Sequence, residues 1–285
     1  MQKLMYEISA VIPVTKMAGK LKNLEETIVN SADTHIEIII VHDIRDKDTS
    51  SEILKLIDGR SNVKFLEGRY GSAGKARNAG IELANSKWIC FWDSDDLPNI
   101  KNIGKLINKT EKDKNDLGYG SFELMMTRDK KKSVFHKHQR KTEIISINRF
   151  PGLWRWVFKR NLVDNNRFLE YRLGEDITFL CRLISLGGNI SKFEGTVYQY
   201  TVGDKNQATQ LWKESDSIAP VLKFIHSITR GGIFNNESKI TKIAFWQTLS
   251  SIRKDNMKNK VYSIFYLLNI FVNMTSSLVN KKLKK

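Results

Sequence analysis

The sequence predicts an α/β fold, a mixed and mostly parallel sheet with flanking helices, followed by a helical C-terminal extension. Three observations predict it. Short, almost wholly apolar runs recur through the first hundred residues, helical periodicity separates them, and acidic residues stand where two of the runs end. Strands that are apolar on both faces and alternate with helices imply βαβ units, whose helices cover both sides of a parallel sheet.

In chain order, residues 8–14 read as a strand, 21–30 as a helix, 36–41 as a strand, 50–57 as a helix, 63–66 as a strand, 74–84 as a helix and 88–92 as a strand. From Asn99 to about Tyr200 the pattern changes to strands and turns around one clear helix, 176–186. Gly187-Gly188 reads as the C-cap of that helix. Beyond about Gly203 three stretches look helical, 215–229, 239–253 and 259–278. Residues 261–280 carry no charge and are bracketed by lysines, but Asn269, Asn273 and Thr275 to Ser277 dilute their hydrophobicity. That composition suits a helix lying on an anionic membrane better than a span, and suits equally a helix packed on the domain or in a dimer.

Composition excludes several classes. With 41% hydrophobic and 27% charged residues and four prolines, the chain is neither disordered nor fibrous. Cys90 and Cys181 have no metal-binding spacing and read as small buried hydrophobes, which fits a reducing cytoplasm. Residues 1–7 run straight into a strand-like segment, without the pattern of a secretory leader. A net charge of +16 favours anionic partners. Nucleic acid is the alternative partner class, but no zinc finger, RNP signature or helix-turn-helix pattern supports it.

The chemistry concentrates in Asp93-Ser94-Asp95-Asp96, three carboxylates in four residues at the end of the run 88–92. Carboxylates this close raise one another's pKa unless a cation or hydrogen-bond donors neutralise them, and oxygen-only clusters suit Mg2+ or Mn2+. The same letters also suit an ordinary turn, with Pro98 in the first turn of a following helix. His42-Asp43 ends a second strand of the same sheet, and ligands of such sheets bind beyond the carboxyl ends of the strands. Between these two ends, residues 71–80 form a glycine-rich loop running into a helix, with Lys75 and Arg77 adding positive charge. That arrangement suits a diphosphate.

These motifs, in this order and spacing, resemble the inverting glycosyltransferases of family 2, which have the GT-A fold. The resemblance covers about residues 5–205 and rests on Ser9 to Val14, Ile39 to Asp43, Ala76 to Gly80, Phe91 to Asp96 and Leu173 to Asp176. It implies a GT-A domain over 1–205, with a nucleotide-sugar-binding half (1–100) and an acceptor half (101–205), and an extension over 206–285. It implies that Pro13, Asp43, Arg77, Asn78, Asp93 and Ser94 bind the nucleotide sugar, that Asp95 holds Mn2+ or Mg2+, and that Asp176 is the catalytic base. Glu175, Trp154 and Trp156 would line the acceptor side, where indole faces can stack on sugar rings.

The expected reaction is transfer of one sugar from a nucleotide-sugar donor, a UDP-sugar first, to a hydroxyl of a saccharide or lipid-linked saccharide in bacterial surface polysaccharide synthesis. A nucleotidyltransferase is the alternative that shares a metal-and-diphosphate site. The processive QxxRW signature is absent, so a single transfer is expected rather than polymer synthesis. The expected location is cytoplasmic, with peripheral contact of 259–285 with an anionic membrane. Where relatives often carry two aspartates, this chain has His42-Asp43, and His42 reads as a loop histidine or a replacement nucleotide contact.

Overall fold

The computed structural model describes residues 7–202 except 16, 18–19, 45–46, 127–134, 138–150 and 172–173, together with residues 240, 243 and 246. Strand β1 (Ile8–Val14), helix α1 (Lys22–Ser31), β2 (Ile36–Asp43), α2 (Lys47–Ile57), β3 (Val63–Gly68), α3 (Ala73–Leu83) and β4 (Trp88–Phe91) alternate as the sequence predicts. The four strands pair in the order β3-β2-β1-β4, all parallel. Successive side chains of a strand point to opposite faces, so each strand feeds two cores. Ile8, Ala10, Ile12, Ile38 and Ile40 pack with Leu24 and Ile28 of α1 on one face. Val11, Ile39 and Val41 pack with Ala76 and Ile81 of α3 on the other.

After β4 the chain builds β5 (Leu97–Pro98), α4 (Ile100–Lys112), β6 (Leu117–Met126), β7 (Phe135–Lys137), a 3-10 turn (Leu153–Arg155), β8 (Trp156–Lys159), α5 (Arg160–Asp164), α6 (Glu175–Leu186) and β9 (Ile190–Val202). Strand β8 lies antiparallel to β4 and β6, β6 runs parallel to β9, and β5 pairs antiparallel with β9. The acidic loop, residues 92–96, therefore leaves the last parallel strand and enters β5, which is fastened to the far side of the mixed half. It lies at the junction of the two halves of the sheet.

Two local expectations are corrected. Residues 100–112 form a helix, not the strands and turns expected there: Ile103, Leu106, Ile107 and Thr110 are buried at i, i+3, i+4 and i+7 spacing, while lysines and asparagines fill the outer face. That helix starts after Pro98, which belongs to β5, and its cap is Asn99, whose side-chain oxygen accepts the Asn102 N–H at 3.0 Å. At the end of α6, Gly187 is extended (φ −71°, ψ 157°) rather than left-handed. Its lack of a side chain serves packing, because a Cβ there would overlap Leu117.

Residues 240, 243 and 246 are helical, and Ile240 and Ile243 are fully buried in the core that holds Trp156, Phe179 and Leu183. Ile240 and Ile243 thus add their side chains to the domain core. The stretch 261–280 lies outside the described residues, and among those described no helix is long and apolar enough to cross a membrane. Ile243→Ala should lower the unfolding free energy by about 2–5 kcal/mol, the range for truncating a buried aliphatic side chain. Denaturant unfolding would measure it, and a loss under about 0.5 kcal/mol, the size of ordinary surface substitutions, would mean that the contact does not form in solution.

Candidate active site

The site begins with a tie at the carboxyl end of β2. Asp43, buried at the end of β2, accepts the Gly71 N–H through Oδ2 at 2.8 Å. Gly71 has φ +76°, a left-handed conformation that glycine adopts without steric cost. Ser72 then caps α3 by accepting the Lys75 N–H at 3.3 Å. Gly74 lies so close to α6 that a Cβ there would stand 3.1 Å from Glu175 Cγ and 3.2 Å from Phe168 Cβ. The glycine-rich segment thus brings the start of α3 against the start of α6.

Arg77, on the first turns of α3, occupies the resulting centre. Its Nη2 donates to Asp93 Oδ1 at 2.8 Å, Nη1 lies 3.5 Å from Glu175 Oε1, and its guanidinium sits 5.5 Å from the centroid of Phe168. Burial opposes its charge, but Asp93, Glu175 and Asp176 together outweigh burial and raise its pKa. Asn78 holds Phe168 in place by a reciprocal pair, donating to the Phe168 carbonyl at 3.0 Å and accepting its N–H at 2.8 Å. The sequence expectation put Asn78 on the nucleotide. In the structure its amide is committed to the backbone that carries the ring under Arg77.

Glu175 and Asp176 open α6 after Gly174, whose φ is +78°. The Glu175 carboxyl is pushed up to about 7, first by burial and then by the neighbouring Asp176 charge, with Arg77 pulling the other way. Asp176 is also raised, again chiefly by burial, while Arg77 and the Ile177 N–H moderate the rise. Asp176 Oδ1 accepts that N–H at 2.8 Å. A recessed carboxylate with raised proton affinity is suited to taking a proton from a hydroxyl.

In the acidic loop, Asp93 is about one-third exposed and Asp95 is half-buried, whereas Asp96 is buried, 2% exposed. The Asp96 carboxyl is raised well above the ordinary range by burial and by Asp93 and Asp95. Ser94, expected on the nucleotide, is buried, 8% exposed. Pro13 is half-buried in β1 opposite Val41. Among the described residues no three His, Cys, Asp or Glu side chains gather as a ready-made metal site. Asp95 keeps access to solvent and offers oxygen donors of the kind a hard divalent cation takes, while Asp93 Oδ1 is engaged by Arg77.

Two side chains, Trp156 and His42, differ from expectation, while Trp154 keeps partial exposure. Trp156 is 1% exposed, stacked on Phe158 with its indole N–H donated to the Pro151 carbonyl at 2.7 Å, so it is a core residue and cannot line the acceptor side. Trp154 is half-buried and nearly parallel to Tyr198 and Tyr200, with centroids at 4.7 and 5.1 Å. His42 is a strand residue, fully buried, with Nδ1 3.2 Å from Glu67 Oε1. It is not a loop histidine, and its burial keeps it from touching a nucleotide in this conformation. The sequence reading missed Tyr198, Tyr200, Phe168 and Asn23, whose Nδ2 donates to the Asp95 carbonyl at 2.6 Å. The two tyrosines carried only strand alternation and aromatic character and Phe168 only its aromatic character, which core residues share, while Asn23 is one polar residue of helix α1 with no distinguishing signal.

A mixed sheet carrying a glycine-rich loop, an acidic loop and a carboxylate pair at its carboxyl ends defines a GT-A nucleotide-sugar transferase. The glycosyl transferase family 2 profile matches residues 9–172, more than half the chain, and the protein belongs to that family. It is 24% identical over 268 residues to the poly(ribitol-phosphate) β-N-acetylglucosaminyltransferase TarP of Staphylococcus aureus, covering 90% of this chain and 82% of TarP. It is 26% identical over 187 residues, 63% of this chain and 60% of the relative, to the GalNAc(5)-diNAcBac-PP-undecaprenol β-1,3-glucosyltransferase of Campylobacter jejuni. The fold superposes on S. aureus TarS in complex with UDP-GlcNAc with a TM-score of 0.67 at 16% identity, covering 93% of this chain and 80% of the other. A mannosyltransferase from Pyrobaculum calidifontis, in complex with GDP-Man and Mn2+, superposes with a TM-score of 0.63 at 10% identity, covering 98% and 79%.

The raised Glu175 pKa has a sign that can be tested. The unfolded chain releases this proton near 4.5 and the folded protein near 7, so between those values the folded state binds more protons and stability from this group falls as pH rises. Glu175→Gln should flatten that slope: the drop in melting temperature from pH 5 to pH 8 becomes smaller than in the parent. An unchanged drop would mean that Glu175 ionises normally in the folded protein.

Proposed function

We propose that this family 2 glycosyltransferase moves a single sugar from a UDP-sugar to a hydroxyl of a saccharide or lipid-linked saccharide, with Asp176 as its base and Asp95 as its metal ligand. The observation that carries the reading is the convergence on Arg77 of Asp93, from the acidic loop, with Glu175 and Asp176, from the start of α6. A donor-side carboxylate and the neighbour of the candidate base are thereby held by one cation, whose charge also acts on Asp176.

In this mechanism the acceptor oxygen attacks the anomeric carbon while the bond from that carbon to the diphosphate oxygen breaks. The bonding pair leaves with the nucleoside diphosphate, and attack from the opposite face inverts the centre. The acceptor proton passes to Asp176, whose Oδ1 is already oriented by the Ile177 N–H. Burial raises the proton affinity of that carboxylate, which strengthens it as a base at neutral pH. The start of α3, with Ser72 and Lys75, offers the positive potential of a helix N-terminus to the diphosphate. Asp95, with Asp93 beside it, would hold Mn2+ or Mg2+, which when bound supplies charge that offsets the negative charge gained by the leaving diphosphate.

Trp154, the indole of the acceptor half that keeps partial exposure, would support the acceptor. The net charge of +16 fits an anionic acceptor or an anionic membrane surface. Assembly of a bacterial surface polysaccharide is supported by relatives named for transfer to poly(ribitol-phosphate) and to a PP-undecaprenol-linked saccharide. Contact of 259–285 with the cytoplasmic face of the membrane is part of the same proposal.

Asp176→Asn should lower turnover by about 10²- to 10⁴-fold, the usual contribution of a positioned base, while the dissociation constant for UDP stays within about twofold of the parent because donor groups remain in place. Initial rates and calorimetric titration check the two halves separately. Turnover within about threefold of the parent would remove Asp176 from the base role.

A further inference from the structure

The acidic loop contains three carboxylates with two different fates. Asp93 and Asp95 keep access to solvent. Asp96 is buried, and its Oδ1 accepts the Thr201 N–H from the end of β9 at 2.6 Å. At the other end of the loop, the Asp93 N–H donates to the hydroxyl of Tyr198, also on β9, at 2.9 Å. The ring of Tyr198 is fully buried against Trp154, and its hydroxyl also faces the Asp96 carboxyl. Between the two anchors only Ser94 and Asp95 remain, and Asn23 holds the Asp95 carbonyl from the opposite side.

We propose that Tyr198 of β9 and Asp96 of the acidic loop form a latch between that strand and the loop, fixing the loop backbone and making both of them positioning residues for donor binding through Asp93 and Asp95. The proposal rests on the donor-site reading above. Both latch residues are buried, and each acts on the loop backbone or on the strand beneath it. A short loop anchored at both ends presents its intervening carboxylates in one orientation. If one anchor is lost, the loop populates other orientations, and apparent affinity falls in proportion to the fraction that remains competent. The latch also joins the two halves of the site, because the ring whose hydroxyl holds Asp93 is the ring that stacks on Trp154.

Tyr198→Phe in the full chain tests this, since it keeps the ring stack and removes only the hydroxyl. Calorimetric titration with UDP in the presence of Mn2+ should show about a tenfold rise in dissociation constant, and KM for the donor should rise by a larger factor than turnover falls. Asp96→Ala should weaken UDP binding similarly, whereas Asp96→Asn, which keeps an oxygen for the Thr201 N–H, should recover most of it. This pair carries the test if Tyr198→Phe does not fold. A merely structural role predicts lower melting temperatures with unchanged UDP affinity and donor KM at 25 °C, and that result would overturn the latch. Failure of the parent itself to bind UDP would instead strike the donor-site reading.

Discussion

The site depends on one buried cation. Arg77 gathers carboxylates from two elements distant in sequence, Asp93 after β4 and Glu175 at the start of α6, and its charge is what allows Asp93, Glu175 and Asp176 to lie close together. Without it their mutual repulsion and burial have no opposing charge. Removing one partner of a buried ion pair typically costs about 3–5 kcal/mol, a large share of the stability of a typical domain. The surrounding structure serves this contact: Gly74 lets α3 and α6 meet, Phe168 lies against the guanidinium, and Asn78 fixes Phe168 by two hydrogen bonds.

The second constraint is the junction in the sheet. The parallel half ends at β4 and the mixed half returns β9 beneath the loop that follows, so residues 92–96 are held by both. Function follows from that placement. Groups suited to a nucleotide diphosphate come from β2, α3 and the acidic loop, while the candidate base and the Trp154 stack come from α6 and the segment before β8. The proposed chemistry of transfer therefore draws on both halves of the sheet rather than on either alone.

Much of this was legible in the sequence because the parallel strands are buried on both faces and so read as uninterrupted apolar runs. The strand 8–14 and the strand starts at 36, 63 and 88 stand where the apolar pattern puts them. The misread segments have physical explanations. Helix α4 carries a regular buried stripe, but its polar residues obscure it when the surrounding chain is read as strands. Trp154 and Trp156 differ by two positions and are chemically identical, and only the packing of Trp156 against Phe158 and Pro151 assigns one to the core. His42 stands in an apolar strand, where a polar letter invites a loop reading, yet the strand continues through it. Tyr198 and Thr201 reach the acidic loop across more than a hundred residues of chain, a separation that no local pattern records.

The most direct test is a thermal-shift measurement of the full chain against UDP-, GDP-, dTDP- and CMP-sugars, each with Mn2+ or with chelator. A ligand that binds the folded state raises the melting temperature by mass action. The account predicts a rise with a diphosphate-linked sugar, UDP first, that is lost in chelator, and none with the monophosphate-linked CMP-sugars. Folded protein that responds to none of them, or that responds to a CMP-sugar as strongly as to a diphosphate, would contradict a donor site built from Asp93, Asp95 and the start of α3.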